Sequence, residues 1–257
     1  MSTRLISWNV NGIRAWHRKG GLAWLLKEKP DFFCVQETKA HPDQLSEDLL
    51  SPEGYHAYFD HARTRKGYSG VAVYAKEEPE EVRDALGVPE LDQEGRFLAL
   101  LYPGFALLNC YFPNGGGEPH RFEYKLAYYK AFLAYAQKLR KEGYAVVFCG
   151  DVNAAHHPID LKRAKENDGE IGFHPLERAW IDEVIAAGFS DTFRQLHPDK
   201  EDAYTWWDVK TASRERNVGW RIDYFFVSEE LKSRVDKSEI LADVEGSDHC
   251  PVSLTLR

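Results

Sequence analysis

The pattern of hydrophobic and polar positions predicts a chain rich in β-strands. Alternating or continuous apolar runs, bounded by turn residues, are typical of strands. The predicted strands are residues 5–10, 31–35, 55–59, 71–75, 97–101, 105–112, 145–149, 204–208, 220–227, 239–244 and 252–256. Hydrophobic positions 122, 126, 129, 133 and 136 are spaced by four and three, which predicts a long helix that ends at Gly143. Further helices are predicted at 22–26, 42–50 and 175–188.

So many strands with so few helices indicate two sheets rather than one. A single parallel sheet does not accommodate about ten strands with three or four helices. We therefore predict an α/β fold with two sheets packed face to face and helices outside. No repeat, low-complexity tract or linker divides the chain, so a single domain over residues 1–257 is expected.

Composition narrows the class of protein. The chain is 43% hydrophobic, 13% aromatic and 29% charged, which is typical of a soluble globular protein. No apolar run approaches the ~20 residues of a membrane span, and no signal peptide is indicated. We expect a cytoplasmic, or nucleoid-associated, protein without a membrane partner. The net charge of −8 argues against a bulk electrostatic grip on nucleic acid, but leaves room for a local basic face or a metal among carboxylates.

The four cysteines do not indicate a disulfide framework or a zinc site. Cys34, Cys110, Cys149 and Cys250 are widely spaced, and three of them lie inside strand-like runs. This is the setting of reduced, buried thiols.

Two polar residues follow the predicted strand 145–149 directly. Gly150 ends the strand, and Asp151 and Asn153 come next. Open α/β sheets place ligands at the carboxyl ends of their strands. An Asx turn that merely closes the strand has the same local sequence, so this stretch alone leaves both interpretations open.

Other predicted strands also end in polar residues. The full set is Asn9, Glu37, Tyr111, Asp151, Asn153, Asp223, Asp248 and His249. Singly, each has an ordinary alternative as a solvated, core or capping residue. Together, hard carboxylate and amide oxygens with one histidine and no thiolate suit Mg²⁺, with Mn²⁺ as an alternative, better than zinc. Such a set indicates phosphate chemistry.

The sequence lacks the motifs of other catalytic schemes, including GxSxG, HExxH and the glycine-rich phosphate loops. Phosphodiester hydrolysis needs a positioned water, positive charge at the phosphate and help for the leaving oxygen. Asp151, Glu37 with a metal, and His249 could fill these roles. Asp223, in the middle of the stretch WRIDYF, is the natural group to orient His249.

Seven stretches, in the same order, resemble the exonuclease III family of apurinic/apyrimidinic endonucleases. They are residues 6–14 (ISWNVNGIR), 35–39 (VQETK), 66–70 (KGYSG), 111–114 (YFPN), 150–156 (GDVNAAH), 217–225 (NVGWRIDYF) and 246–251 (GSDHCP). The wider superfamily includes pancreatic-type deoxyribonucleases and inositol polyphosphate phosphatases, and it shares the carboxylate and histidine motifs. KGYSG and NVGWRIDYF look like the DNA-repair branch.

The resemblance implies a four-layer α/β sandwich of two mixed sheets flanked by helices. It also implies Mg²⁺-dependent cleavage of DNA on the 5′ side of abasic sites, with 3′-to-5′ exonuclease and 3′-end phosphodiesterase or phosphatase activity. The implied partner is double-stranded DNA with abasic sites or blocked 3′ ends, and the implied state is a monomer.

The same resemblance assigns roles to the polar set. Glu37 is implied as the metal ligand, with Asn9 beside it and Asp248 near the metal. Asp151 is implied to align or deprotonate the attacking water, helped by Asn153. The groups implied to face the scissile phosphate are Tyr111 and His249, the latter oriented by Asp223.

The resemblance implies that two further sets of residues contact DNA. Trp206, Trp220 and Ile222 would border a pocket for a flipped-out sugar, whereas core packing is favoured for Trp207. The candidates for DNA contacts are Arg63, Arg65, Lys66, Tyr68, Asn114, Asn167, Lys210, Arg214 and Arg216. Their alternative is a solvated loop.

Three positions depart from the family pattern. Asn11 stands where some relatives have an aspartate, residues 114–119 replace a loop that in some members carries an inserting basic residue, and Glu170 stands where some have an asparagine. Two other functions stay open at this point: a small-molecule phosphodiesterase or phosphatase of the same superfamily, and a DNA-binding protein that has lost catalysis.

Overall fold

A computed structural model describes residues 2–118 and 120–257 of the chain. Met1 and Pro119, the last residue of the 114–119 loop, lie outside the described residues. The strands, numbered along the chain, are β1 (Thr3–Asn9), β2 (Phe32–Gln36), β3 (His56–Asp60), β4 (Val71–Ala75), β5 (Glu81–Arg83), β6 (Phe97–Tyr102), β7 (Phe105–Tyr111), β8 (Ala145–Asp151), β9 (Phe189–Asp191), β10 (Trp206–Trp207), β11 (Gly219–Trp220), β12 (Asp223–Ser228), β13 (Val235–Ile240) and β14 (Val252–Leu256).

Helices connect these strands on the outside of the molecule. They are α1 (Ile13–Arg18), α2 (Gly21–Glu28), α3 (Glu47–Leu50), α4 (His120–Lys141), α5 (Pro175–Ala186), α6 (Thr192–Leu196) and α7 (Glu229–Lys232). Short 3₁₀ turns occur at Pro42–Gln44, Pro158–Asp160, Val209–Thr211 and Ser213–Arg216.

The strands form two six-stranded mixed sheets and a two-stranded ribbon. The first sheet has the order β13-β14-β1-β2-β4-β3, the second has the order β5-β6-β7-β8-β12-β9, and β10 pairs with β11 in the ribbon. Each six-stranded sheet contains one parallel pair, β1 with β2 and β7 with β8. The prediction of two mixed sheets is therefore confirmed.

Side chains of β8 show how the sheets are layered. Val147 and Cys149 belong to the cluster between the two sheets, whereas Val146 and Phe148 belong to the cluster beneath α4 and α5. Successive side chains of a strand point to opposite faces, so a strand that is buried on both faces reads as a continuous apolar run. On the other side, α1 and α2 cover the first sheet around Trp8 and Trp16. The result is the predicted helix, sheet, sheet, helix sandwich.

Several predicted boundaries were wrong. The strand predicted at 239–244 is β13, Val235–Ile240. It lies at a sheet edge and carries the charged residues Asp236, Lys237 and Glu239, which hide the apolar pattern. The strand predicted at 220–227 is interrupted at Arg221 and Ile222, between the ribbon and β12. The Arg221 backbone N–H donates there to the Asp160 carbonyl oxygen at 2.7 Å. The helix predicted at 42–50 is a 3₁₀ turn, Pro42–Gln44, followed by the four-residue helix α3, Glu47–Leu50.

The cysteine prediction is confirmed, since all four thiols are free and buried. Among the described residues, no helix combines the length and apolar character required to cross a bilayer. That residues 1–257 form a single domain stays a prediction.

Candidate active site

The carboxyl ends of the two parallel strand pairs lie at the same edge of the sandwich. Asn9 ends β1, and Glu37 follows β2 directly. In the second sheet, Tyr111 and Asp151 are register partners on β7 and β8, and Asp223 pairs with Asp151 from β12. The sheets therefore deliver these side chains to one place, although they are far apart in the chain.

Gly150 permits the close approach of β8 to β7 beside Asp151. Its φ is 134°, and a Cβ atom built there would lie 1.9 Å from the carbonyl oxygen of Cys110. Residues other than glycine rarely adopt this backbone conformation. Gly150 is thus required by the backbone that positions Asp151.

Several polar residues of the site have left-handed backbone conformations. The φ values are 46° for Asn11, 51° for Glu37 and 57° for Asn153. Asparagine tolerates this region, but for Glu37 it costs about 1–2 kcal/mol. Such strain persists where surrounding contacts enforce it, and it is concentrated at functional sites.

Asp151 is buried and accepts hydrogen bonds at both oxygens. Oδ1 accepts from the Asn153 backbone N–H at 2.8 Å. Oδ2 accepts from Asn9 Nδ2 at 2.9 Å and from Asn153 Nδ2 at 3.2 Å. Burial, followed by the charges of Asp223 and Glu37, raises the pKa of Asp151 to about 7 against the opposing effect of His249. A carboxylate with this pKa can accept a proton near neutral pH.

His249 and Asp223 form a buried pair next to Asp151. His249 Nδ1 lies 2.8 Å from Asp223 Oδ2, and His249 Nε2 lies 3.9 Å from Asp151 Oδ2. Burial acts against a charged imidazole, but the carboxylates of Asp223, Asp151 and Asp248 together raise the pKa of His249 to about 10. The ring is therefore an imidazolium at neutral pH, with both nitrogens able to donate.

Thr205 completes this pair and was missed by the sequence reasoning. Its hydroxyl donates to Asp223 Oδ2 at 2.6 Å, and it accepts from the backbone N–H groups of Ile222 and Asp223 at 3.0 and 3.1 Å. Thr205 thus holds Asp223 in the position from which it contacts His249. No motif marks Thr205 in the sequence.

Glu37 is the more accessible carboxylate and is surrounded by donors. Oε1 accepts from Asn9 Nδ2 at 2.9 Å, and Oε2 lies 2.8 Å from Lys39 Nζ. Despite burial, Lys39 and Asn9 lower the pKa of Glu37, so the carboxylate stays ionised. Lys39 lies inside the VQETK stretch, but sequence reasoning did not single it out.

Ligand atoms of Glu37, Asp151 and His249 lie within 4.8 Å of one another. The carboxylates of Glu37 and Asp151 could hold a metal ion, whereas His249 as an imidazolium has no free lone pair for one. The test of fit is the donor set: Glu37 and Asp151 offer hard carboxylate oxygens of the kind that Mg²⁺ prefers, and the Lys39 ammonium lies 2.8 Å from Glu37 Oε2. Asn9 Oδ1 accepts from the Asn11 N–H at 3.0 Å, while its Nδ2 joins the two carboxylates. A role for Asn9 as a metal ligand stays a prediction.

Asp248 is held at the rim rather than among the three ligand atoms. Oδ1 accepts from Asn11 Nδ2 at 2.9 Å, and Oδ2 accepts from Trp206 Nε1 at 3.1 Å. Asn11 in turn accepts from Lys39 Nζ. An amide at position 11 can donate to Asp248 and accept from Lys39 at once, which an ionised carboxylate cannot do.

Tyr111 faces the same centre with a neutral hydroxyl. Burial, and then the charge of Glu37, raises the pKa of Tyr111 well above its ordinary value. The Arg96 guanidinium lies 4.7 Å from the ring centroid, and it donates to the Tyr111 carbonyl oxygen at 3.0 Å. The phenol is thus a positioned hydrogen-bond donor.

A pocket of about 390 Å³ opens beside this centre. One wall is polar and includes Glu37, Asp151 and His249. The other is apolar and formed by Ile171, Gly172, Trp206, Trp220 and Ile222. The structure therefore brings the three predicted pocket residues together and adds Ile171, which is 42% exposed. Trp207 is buried in a separate cluster with Tyr204 and Cys250, and its core assignment is confirmed.

Gly172 permits the apolar wall to close on Trp220. Its φ is 93°, and a Cβ atom there would lie 3.1 Å from Trp220 Cζ3. Glu170 is exposed nearby and does not line the pocket. Asn167 donates to the carbonyl of Arg163 at 2.7 Å, so its contact with DNA stays a prediction.

Residues of the predicted DNA-contacting loops differ in their exposure. Arg65, Lys66 and Lys210 are exposed. Tyr68 is partly buried, and its hydroxyl accepts from Arg96 and Arg121 at 2.9 and 3.0 Å. The contacts of these four residues with DNA stay predictions.

Three arginines of the candidate set have structural partners. Arg63 pairs with Asp60 at 3.0 Å, and Arg216 donates to the Thr211 carbonyl at 2.9 Å. Arg214 packs 4.7 Å from the Trp207 ring centroid and donates to the carbonyl oxygens of residues 242, 244 and 247. Part of the basic sequence signal thus stabilises loops.

Asn114 connects the glycine-rich loop to the centre. Its Nδ2 donates to Asn153 Oδ1 at 3.0 Å, and its Oδ1 accepts from the Gly116 N–H at 3.1 Å. Asn114 lines the pocket and is exposed. Asn114 thus contributes this loop's contact with the pocket wall.

Comparisons with known proteins agree with this geometry. The Endonuclease/Exonuclease/phosphatase family profile matches residues 6–249. An exodeoxyribonuclease of Bacillus subtilis is 45% identical over 254 residues, which is 98% of this chain and 99% of that protein. The DNA repair nuclease APEX1 of Danio rerio is 43% identical over 256 residues, covering 98% of this chain and 82% of its own length.

Solved structures give the same result for the fold. An AP endonuclease from Leishmania major superposes with a TM-score of 0.90 at 31% identity, over 100% of this chain and 88% of that one. A variant of the 3′ phosphatase NExo from Neisseria, bound to a product DNA hairpin, gives 0.90 at 27% identity over 99% of each chain. The chain belongs to the Endonuclease/Exonuclease/phosphatase family, and within it to the exonuclease III group of apurinic/apyrimidinic endonucleases.

Proposed function

We propose that this protein is a Mg²⁺-dependent DNA-repair nuclease that acts in base excision repair. It hydrolyses the phosphodiester on the 5′ side of an abasic site, and it has 3′-to-5′ exonuclease and 3′-end phosphodiesterase or phosphatase activity. The observation that carries the proposal is the buried Asp151, His249 and Asp223 group at the wall of a small pocket whose other wall is apolar.

The chemistry follows from the proton positions. Asp151, with its pKa raised to about 7, aligns the attacking water and receives its proton as the water oxygen bonds to phosphorus. The bond from phosphorus to the 3′ oxygen breaks, and that oxygen takes up a proton from solvent water. His249 as an imidazolium and Tyr111 as a phenol donate to the nonbridging oxygens, where negative charge develops.

Glu37 is the proposed Mg²⁺ ligand, with Asn9 and Asp248 nearby. When bound, the metal supplies positive charge to the phosphate and the leaving oxygen. Mn²⁺ suits the same oxygen ligands. Lys39 lies 2.8 Å from Glu37 Oε2 and would have to share or release that oxygen.

The apolar wall supports the choice of substrate. Trp206, Trp220 and Ile222 offer flat, uncharged surfaces to a sugar without a base, and a base-less nucleotide is extruded from the helix at little cost in stacking. AP endonucleases and a 3′ phosphatase bound to a DNA hairpin share this fold at TM-scores of 0.88 to 0.90. The proposed partner is therefore double-stranded DNA with abasic sites or blocked 3′ ends. We also propose that the protein binds this DNA as a monomer in the cytoplasm.

The proposed grip on DNA comes from exposed loops. Arg65, Lys66, Tyr68 and Lys210 would contact the backbone, which positions DNA without reading its sequence. Asn114 and Asn167 would contact the strand near the pocket. These contacts hold the duplex while the buried centre performs the reaction.

The experiment is a gel assay of three labelled duplexes, containing an abasic site, an intact 3′ end or a 3′ phosphate, with and without Mg²⁺. The proposal predicts cleavage 5′ to the abasic site and 3′-end removal, both dependent on the metal. Hydrolysis of soluble phosphoesters with no preference for abasic DNA would favour the small-molecule phosphodiesterase. Metal-independent binding without cleavage would favour a protein that has lost catalysis.

A further inference from the structure

A fully buried lysine lies behind the active site. The Lys125 side chain, on α4, is 0% exposed. Its ammonium donates to the carbonyl oxygens of Asn114 at 3.0 Å and Asn153 at 2.8 Å, and to Glu177 Oε1. All three ammonium protons are therefore used, and two of them hold backbone that lines the pocket.

Glu177 extends the same contact to a third loop. This carboxylate, on the first turn of α5, is also 0% exposed. Its Oε2 accepts from the backbone N–H groups of Gly172 at 2.7 Å and His174 at 3.0 Å. Gly172 forms part of the apolar wall beside Trp220. The ion pair thus joins the loops on both sides of the pocket.

A chain of amides leads from this pair to Asp151. Asn114 Nδ2 donates to Asn153 Oδ1 at 3.0 Å, and Asn153 Nδ2 donates to Asp151 Oδ2 at 3.2 Å. Asn153 also donates its backbone N–H to Asp151 Oδ1 at 2.8 Å. Since Asn153 has a left-handed φ of 57°, its position depends on the contacts that hold it.

We propose that Lys125 and Glu177 are positioning residues that fix Asn114 and Asn153, and through them the Asp151 carboxylate, for the hydrolytic step. This inference rests on the proposed nuclease function. Apolar residues of similar volume often replace a buried ion pair at little or no cost in stability. Two backbone carbonyls at the catalytic edge, by contrast, need a donor that apolar residues lack.

The decisive variant is Lys125→Met combined with Glu177→Gln. Methionine fills the space of the lysine without a charge or donor, and glutamine keeps an acceptor for the Gly172 and His174 N–H groups. No unpaired buried charge remains. We expect kcat on an abasic duplex to fall by about tenfold or more and KM to stay within about threefold, because misplacement by a fraction of an ångström affects the chemical step.

Leu139→Ala is the matched control. Leu139 lies on the same helix and is 0% exposed, but it packs in the core beneath the second sheet. This variant should lose at least as much thermal stability as the double variant, and yet keep kcat within about twofold of the unsubstituted protein. A folded double variant that also keeps kcat within about twofold of the unsubstituted protein would overturn the proposal.

Asn114→Ala provides the test if the double variant does not fold. It removes the exposed end of the amide chain and leaves the ion pair in place. The proposal requires a fall in kcat. A rise in KM with an unchanged kcat would show that Asn114 acts only through its contact with DNA and would overturn the proposal. If the unsubstituted protein does not cleave abasic DNA, the proposed function fails instead, so the two failures are distinguishable.

Discussion

The buried centre and the DNA-facing loops are built in opposite ways. Asp151, Asp223 and His249 are each at least 96% buried, and each bonds to a side chain from another part of the chain. Lys66 and Lys210 are exposed, and several of the arginines around them pair with the protein's own carbonyls and carboxylates. The difference separates two tasks: the centre is preorganised for the reaction, whereas a few exposed charges supply the grip on DNA.

The largest expected effect comes from the centre. Asp151→Asn removes the proton acceptor and should lower the incision rate by roughly 10³-fold. Because the fold raises the pKa of Asp151 to about 7, the negative charge is disfavoured in the folded state. The neutral amide should therefore leave thermal stability unchanged or raise it. Rate and melting curves of the same preparation test both parts, and near-normal turnover in Mg²⁺ would refute the assignment.

His249→Gln should have the next largest effect. It removes the charged donor that supports the phosphate but keeps a side chain that can bond to Asp223. A loss of about 10²-fold in kcat with little change in DNA affinity is expected. Single-turnover kinetics with a binding titration separate the two quantities. An equal loss in affinity and no loss at saturation would assign His249 to binding.

Asp223→Asn should change the pH dependence. The Asp223 carboxylate is the foremost charge that raises the pKa of His249 to about 10, so the imidazolium is present below that pH and is lost above it. Removal of the charge lowers this pKa. The alkaline limb of the kcat profile should then move to lower pH, and Thr205→Val, which removes a donor to Asp223, should not move it in the same direction. An unchanged alkaline limb would contradict the pairing.

The smallest expected effect concerns the loops. Lys66→Ala with Lys210→Ala should weaken DNA binding several-fold and reduce the slope of log affinity against log salt by about 1.8, because each phosphate contact contributes about 0.9. The rate at saturation should not change. Lys138→Ala is the control, because Lys138 is exposed on α4 and pairs with Glu142. Equal slopes for all three proteins would exclude these lysines from the DNA contact.

The parts that could be predicted from the sequence are those that depend on local pattern. The run before Gly150 predicted a strand buried on both faces, and polar residues after the strands predicted where the site would form. Asp151 and Glu37 could be found in this way because a parallel pair places both strand ends at the same edge. The seven motifs then indicated the exonuclease III family.

The parts that could not be predicted depend on contacts between distant residues. Thr205 supports Asp223, and Lys125 meets Glu177, without any short motif that marks them. The charges of β13 hid its strand pattern at a sheet edge, and no sequence pattern indicated the internal partners of Arg63 and Arg214. Charge in a loop is visible in sequence, but its partner is not.

The most direct test of this division is the single-turnover incision rate of an abasic duplex at saturating protein and Mg²⁺, measured across a range of salt from ~50 to ~200 mM. If the buried centre alone sets the rate of the chemical step, the rate constant at saturation does not change with salt. The protein concentration needed for half-saturation rises steeply as the salt concentration increases. A rate constant that falls in parallel with affinity would show that the loops take part in the reaction and would contradict the account.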